Sequence, residues 1–260
     1  MSDLVTVEQR DNLLLVGVNR AEKRNAWNIE IIQSVARAYT KLAHDADLRV
    51  GVVFGHGADF SAGLDLANVA PALAGGQAAS VLPPGLCDPW NFLGEPCPKP
   101  IVLAVQGRCY TLGIELALAS QAVIAAADTS FAQLEVARGI IPLGGATFRL
   151  GARLGARGMQ WLLTGESFDA SQALDAGLVS EVVPVGTQLD RALAVAERIA
   201  ANAPLAVQSA LAGHRVAERA ARDAAADRLR SDAPALFASK DAVEGMTAMM
   251  ERRAPRYQGQ

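Results

Sequence analysis

Apolar residues fall along this chain in two kinds of run. Leu13-Leu-Leu-Val16, Val50-Gly-Val-Val-Phe54 and Ile101-Val-Leu-Ala-Val105 are short and nearly continuous, the pattern of strands buried on both faces. Asp11-Asn12 before the first of them predicts an opening hairpin across Val5 to Val18, its second strand buried. The other two lead into glycines, as expected where a strand enters a tight turn. From Trp27 to Leu42 the spacing changes: Ile31, Val35, Ala38, Tyr39 and Leu42 recur at helical intervals until Asp45 to Asp47 ends the run.

Strand, glycine turn and helix thus occur twice in succession, which points to an α/β protein. Between the two units, Asn68 to Pro100 is rich in Ala, Gly and Pro and holds Pro83-Pro84 and Pro96-Cys-Pro-Lys-Pro100. That composition predicts irregular or mobile structure of the kind that covers pockets. Leu189 to Leu236 is Ala- and Arg-rich with helical periodicity, and interruptions are expected at Pro204 and Pro234.

Half of the 260 residues are apolar, enough for a large core in one domain or in a domain with a helical appendage. A net charge of −3 gives no sequence-wide basic field for nucleic acid or an anionic membrane, so any anionic ligand must be held locally. The C-terminal arginines alternate with Glu and Asp and read as a solvated, salt-bridged helix surface. Cys87, Cys97 and Cys109 indicate neither a disulfide framework nor a zinc site, which fits a reducing cytosol. The first residues lack the basic and apolar segments of an export signal. The most apolar stretch, Leu116 to Ala127, is broken by Ser120 and Gln121 and is too short to cross a bilayer as a helix.

Candidate chemistry concentrates in Phe60-Ser-Ala-Gly-Leu-Asp65, Gly107-Arg-Cys-Tyr-Thr-Leu-Gly-Ile-Glu115 and Phe131-Ala-Gln-Leu-Glu135. The first two each end a turn at an apparent helix start, where N–H groups without intrahelical partners can bind a developing oxyanion. Glu115 follows Leu112 by three residues, which on a helix puts its carboxylate near the same end and face. Taken singly, Glu115 and Glu135 are ordinary helix-start or loop carboxylates; the placement of Glu115 suits acid–base work, and two carboxylates confined in an apolar pocket would have at least one pKa raised. Asp65 is expected to fix its turn by accepting from local N–H groups. His44, His56 and His214 lie where surface or packing roles are expected, and no Ser-His-Asp constellation emerges.

These motifs resemble the crotonase superfamily, which includes the enoyl-CoA hydratases and isomerases, over nearly the whole chain. Asn19-Arg-Ala-Glu-Lys-Arg-Asn-Ala26 is similar to the family's early CoA-contact loop, Phe60 to Leu66 to its first oxyanion turn, and Lys99-Pro100 to Glu115 to the second. Gly139-Ile-Ile-Pro142, Leu163-Thr-Gly165, Ala173 to Val179, Asp241-Ala-Val-Glu-Gly245 and Arg253-Ala-Pro-Arg-Tyr257 follow in the family's order. The resemblance implies an α/β spiral of repeated ββα units over residues 1–195, with two roughly perpendicular sheets. It also implies a helical region over residues 196–260 that builds homotrimers, commonly paired into hexamers.

By the same resemblance, Leu64 and Leu112 supply the N–H donors of an oxyanion hole. Lys23 and Arg24 lie near the CoA phosphates, and backbone groups at Ala62, Leu64 and Leu66 meet the adenine, with Asp65 in the same turn. The implied reaction is syn hydration of a trans-2-enoyl-CoA, Glu115 taking the proton of the attacking water and Glu135 protonating Cα. It requires no metal or redox cofactor, only the CoA thioester as substrate. Two departures stand out: the usual Gly-Gly-Gly-x-Glu is Thr111-Leu-Gly-Ile-Glu115, and Leu134 stands where relatives often have proline. The alternatives are enoyl-CoA isomerisation through the residue matching Glu135, thioester hydrolysis or decarboxylation in the same hole, and a non-catalytic acyl-CoA-binding protein.

Overall fold

The computed structural model describes residues 4–74 and 81–260. Residues 1–3, the start of the stretch read for export signals, and 75–80, within Asn68 to Pro100, lie outside the described residues. The expected hairpin forms from β1 (Val5–Arg10) and β2 (Leu13–Val18), antiparallel with Arg10 opposite Leu13, and Asp11 turns it at φ 49°. Helix α1 (Ile29–His44) starts where the Asn28 side chain accepts from the Ile31 N–H, 2.9 Å, and buries the five positions whose spacing predicted it. It leads into β3 (Val50–Gly55), which pairs in parallel with β2.

The segment beyond departs from expectation. Helix α2 (Leu66–Ala74) occupies its start, launched by the Asn68 and Val69 N–H groups bonding to the Asp65 carbonyl. Ala and Leu sustain a helix there, and its apolar side, Leu66, Val69 and Ala70, is buried. Further on, the two-residue strands β4 (Cys87–Asp88) and β5 (Glu95–Pro96) pair with each other, and the three cysteines are buried and unpaired.

Two spiral turns then follow. Strand β6 (Ile101–Val105) leads to the short β7 (Arg108–Tyr110) and α3 (Leu112–Ala119). Strand β8 (Ala122–Ala126) leads to β9 (Ser130–Ala132) and α4 (Ala146–Thr164), which breaks at Gly155. After β10 (Ser167–Asp169), α5 (Ala170–Ala176) and β11 (Glu181–Val183), the chain closes with α6 (Gln188–Ala200), α7 (Pro204–Phe237) and α8 (Lys240–Glu251). The long strands build one sheet in the order β1-β2-β3-β6-β8-β11, and the short ones a second, β10-β9-β7. Each turn therefore crosses from the large sheet to the small one before entering a helix.

The large sheet is covered on both faces, which explains why its strands do not alternate. Leu13, Leu15, Val50, Val52, Val102 and Ala104 pack with Ala192, Ala196 and Ala200 of α6, while Leu14, Val16, Val53 and Leu103 join the cluster that contains α1. Helix α6 runs through position 195, so the first helix wholly inside 196–260 is α7. Pro204 opens α7 at its first turn, as predicted, but Pro234 lies inside the helix and does not interrupt it. A proline there removes one intrahelical bond; the apolar contacts of Leu229, Ala233 and Phe237 hold the last turn in place. Among the described residues no helix is long and apolar enough to cross a membrane.

Candidate active site

The turn after β3 is pinned from both sides. The Ser61 N–H donates to the Arg108 carbonyl and the Tyr110 N–H to the Ser61 carbonyl, at 2.8 and 3.0 Å, which lays this turn alongside β7. From the other side, the Trp27 N–H donates to the Gly63 carbonyl and the Asp65 N–H to the Trp27 carbonyl, each 2.8 Å. The Ala62 N–H is taken by the Arg24 carbonyl, 2.9 Å, and the Gly63 N–H by Ser61 Oγ, 3.0 Å. Between these bonded neighbours, the Leu64 N–H has no acceptor among the described residues.

The second turn repeats the arrangement at the start of α3. The Thr111 N–H donates to the Ala132 carbonyl, 2.9 Å, and the Glu115 N–H returns to the Thr111 carbonyl, 3.1 Å. Leu112, first residue of the helix, has no acceptor for its N–H among the described residues, as helix geometry dictates. Parallel pairing of Ser61 with Cys109 thus brings two open donors, Leu64 and Leu112, onto adjacent turns, and both residues line one cavity of about 680 Å³.

Glu115 lies on the wall of that cavity, 3 % exposed. Its Oε1 accepts from the Gly144 N–H at 2.7 Å and the Ala146 N–H at 3.0 Å, at the start of α4. Burial raises its pKa above the usual carboxylate range despite those two N–H bonds and the nearby Arg149 charge. Glu135 follows β9 at the head of a short 3₁₀ turn, Val136–Arg138, and its Oε2 accepts from Gln133 Nε2 at 3.0 Å. Its pKa is raised too, by burial first and then by the Glu115 charge, with Arg138 opposing. The two carboxyls are therefore buried and electrostatically coupled, though Glu115 lines the cavity and Glu135 does not.

The cavity is mostly apolar. Ile32, Val69, Leu143 and Gly144 complete the inner wall, Leu82 to Leu86 with Trp90 and Leu93 form a second, and Leu229, Ala233, Pro234 and Phe237 of α7 form a third. Beneath Gly144 lies Arg149, 3 % exposed, whose guanidinium donates to the carbonyls of Trp90 and Asn91 at 2.8 and 3.1 Å. Neither Gly144, Arg149 nor the α7 wall was singled out from the sequence. The available signal for Arg149 was a charge at a core-facing helical position, between Ala146 and Leu150.

Of the residues expected near CoA, Lys23 and Arg24 are exposed on the 3₁₀ turn Ala21–Lys23 and its left-handed exit, φ 52° at Arg24. Leu66 is buried at the start of α2, and the Ala62 N–H is already bonded. Asp65 does not fix its turn through local N–H groups: its Oδ2 accepts from Arg20 Nη1 at 2.8 Å, and the local N–H groups go to its backbone carbonyl. A full charge within reach outcompetes neutral amides for the carboxylate. His44 contacts the Thr40 carbonyl and His56 the Thr6 hydroxyl, both on exposed surface.

A spiral that crosses between two sheets and lays two open backbone donors at an apolar cavity, next to a buried glutamate, defines a protein of the crotonase superfamily. Residues 8–260 match the family model described as enoyl-CoA hydratase/isomerase, and the chain belongs to that family. It is 33 % identical to the 2,3-dehydroadipyl-CoA hydratase of Escherichia coli K12, with all of both chains covered. A probable enoyl-CoA hydratase/isomerase from Mycobacterium abscessus superposes with TM-score 0.81 at 43 % identity over 99 % of each chain. A carnitinyl-CoA hydratase from Mycobacterium avium gives TM-score 0.86 at 35 % identity over the full length of both.

Proposed function

We propose that this protein is an enoyl-CoA hydratase, adding water across a trans-2-enoyl-CoA to give the 3-hydroxyacyl-CoA. The observation that carries the reading is Glu115, buried on the wall of the cavity that the open N–H donors Leu64 and Leu112 also line, with the buried Glu135 close enough for its charge to be felt. Raised and mutually coupled, the pair supplies one carboxylate and one carboxylic acid near neutral pH, which is what addition of water requires. The Glu115 carboxylate takes a proton as the water oxygen bonds to Cβ. The electron pair of the double bond moves onto the thioester oxygen, where the Leu64 and Leu112 N–H groups stabilise it. Protonated Glu135 then delivers its proton to Cα as the enolate collapses, and exchange of one proton between the glutamates restores the starting state.

The leucine at position 112 does not weaken this scheme, because the donor is backbone and remains open. The names of the similar proteins, a dehydroadipyl-CoA hydratase and a carnitinyl-CoA hydratase among them, support hydration over the family's other reactions. The cavity position of Glu115 argues the same way, since one-glutamate isomerisation would run through Glu135 alone. On this reading the acyl chain enters the apolar cavity, and CoA lies along Lys23, Arg24, Ala62, Asp65 and Leu66. No group beyond the thioester and water is needed. Copies associate as a trimer or a pair of trimers through the C-terminal helices, whose Leu205, Val216 and Met250 are 60–79 % exposed, and the cytoplasm is the compartment proposed.

The deciding assay follows loss of the conjugated enoyl-thioester absorbance with short, medium and long trans-2-enoyl-CoAs. Turnover by the unaltered protein, lost in both Glu115→Gln and Glu135→Gln, is the expected result. Tight binding of the esters without turnover at any chain length would leave a non-catalytic binder or another thioester reaction instead.

A further inference from the structure

The residue that most departs from its surroundings is Thr111. A β-branched residue there adopts φ 49°, ψ −109°, a conformation that glycine reaches freely and threonine does not. The residue is 3 % exposed, and Oγ1 is buried with no hydrogen-bond partner among the described residues. Its backbone is fully occupied, the N–H by Ala132 and the carbonyl by Glu115, so the hydroxyl alone is unsatisfied. A strained backbone and an orphaned buried hydroxyl each destabilise the resting protein, and glycine at this position would remove both.

The place of that hydroxyl is specific. A Cβ built on Gly63, across the gap between the turns, would lie 2.3 Å from Thr111 Oγ1. The oxygen therefore sits between Gly63 and Thr111, each the immediate predecessor of an open N–H donor, Leu64 and Leu112. Both donor residues line the acyl cavity. An oxygen atom held by the two N–H groups would offer the hydroxyl the acceptor that the protein itself withholds.

Resting on the thioester site proposed above, we infer that the Thr111 hydroxyl is a third hydrogen-bond donor to the thioester oxygen, acting with the Leu64 and Leu112 N–H groups. It turns a two-donor hole into a three-donor one and holds the growing negative charge through the enolate. The cost of its position in the free protein becomes a difference between ground state and transition state, where a donor to developing charge has its largest effect.

The test uses a dimethylamino-substituted cinnamoyl-CoA, whose absorbance moves to the red when its carbonyl is hydrogen-bonded, together with kcat and KM on an enoyl-CoA. Thr111→Ala removes the hydroxyl, Thr111→Ser keeps it, and thermal melting checks that each folds; Thr111→Gly, which the turn accepts without strain, replaces the alanine variant if that one does not. The expected result is a red shift in the unaltered protein that shrinks in the alanine variant and returns with serine. kcat should fall about tenfold or more at nearly unchanged KM. A full red shift and full kcat without the hydroxyl overturn the inference, as does the absence of any shift in the unaltered protein. A normal, Thr111-dependent shift with no turnover would sink the hydratase reading and leave the donor assignment standing.

Discussion

Gly144 and Glu115 are locked together: the Gly144 N–H donates to Glu115 Oε1 at 2.7 Å, and a Cβ on Gly144 would stand 2.9 Å from Glu115 Oε2 and 2.8 Å from Trp90 Cδ1. Any side chain at 144 must therefore displace both the carboxylate and the indole that shares the cavity wall. Gly144→Ala is expected to lower kcat by about tenfold or more through misplacement of Glu115, since small errors in catalytic geometry are felt strongly. Melting should fall as well, because the indole that must move is held by its Nε1–H on the Leu112 carbonyl, 3.2 Å, and lies against Trp27. Steady-state kinetics beside a melting curve checks this; unchanged kcat would mean that Glu115 does not need this position.

The raised carboxyls make stability depend on pH in an unusual direction. Ordinary paired carboxylates lose native stability in acid; here the folded protein binds protons more tightly than the unfolded chain. The stability that these two groups contribute is therefore fully present below the ordinary carboxylate value of 4.5 and is lost as pH rises through about 7 for Glu115 and about 8 for Glu135. Each group contributes up to about 1.4 kcal/mol per pH unit across its window. Glu115→Gln and Glu135→Gln, which imitate the protonated form, should flatten that decline. Denaturant unfolding from pH 5 to pH 9 is the measurement, and slopes parallel to the unaltered protein would show that neither carboxyl is held protonated by the fold.

What the sequence made legible depended on whether the cause was local. Helix α1 declared itself through its apolar stripe, and the donor turns through strand-glycine-helix order, because each is decided within about a dozen residues. Helix α2 was obscured by neighbouring glycine and proline that suggested loop, and Pro234 looked like a stop until α7 was seen held by Leu229, Ala233 and Phe237. The partners that shape Glu115 were hidden for another reason. Gly144 and the α7 wall reach it only through folding of distant segments, and an amide donor carries no side-chain signature. Asp65 was misassigned in the same way, its partner Arg20 lying 45 positions earlier.

Gly63 and Thr111 should behave as one unit in stability. Thr111→Gly relieves strain and an unsatisfied hydroxyl, together about 2–4 kcal/mol, against about 1 kcal/mol of added chain entropy and about 1 kcal/mol of lost methyl burial. The variant should melt no lower than the unaltered protein while turning over more slowly. Gly63→Ala, with its Cβ 2.3 Å from Thr111 Oγ1 and φ at 101°, should be severely destabilising in the native background. Combined with Thr111→Gly it keeps the backbone strain but loses the clash, so a double-mutant cycle should show favourable coupling above about 1 kcal/mol. Additive effects would place the two side chains out of contact.

Arg149 holds the cavity wall from beneath. Its guanidinium donates to carbonyls of Trp90 and Asn91 on one segment while its Nη1 also reaches the Gly144 carbonyl at 3.4 Å, and its partner in charge is Glu218 of α7 at 3.7 Å. One buried cation thus ties together the second wall, the loop that positions Glu115, and the helix that closes the cavity. Arg149→Met preserves much of the apolar stem but leaves the Trp90 and Asn91 carbonyls without their donors, a loss of about 1–3 kcal/mol for each group left unsatisfied. Lysine should recover only part of this, because a single ammonium cannot reproduce the planar fork that spans two carbonyls at once. Unfolding in denaturant measures the loss, and the kinetic signature distinguishes its origin: kcat should fall with stability in both variants, since Gly144 moves with the arginine. If Arg149→Met unfolds early yet retains full kcat in the remaining folded fraction, the arginine supports the fold alone and Glu115 is held by its two N–H groups without help.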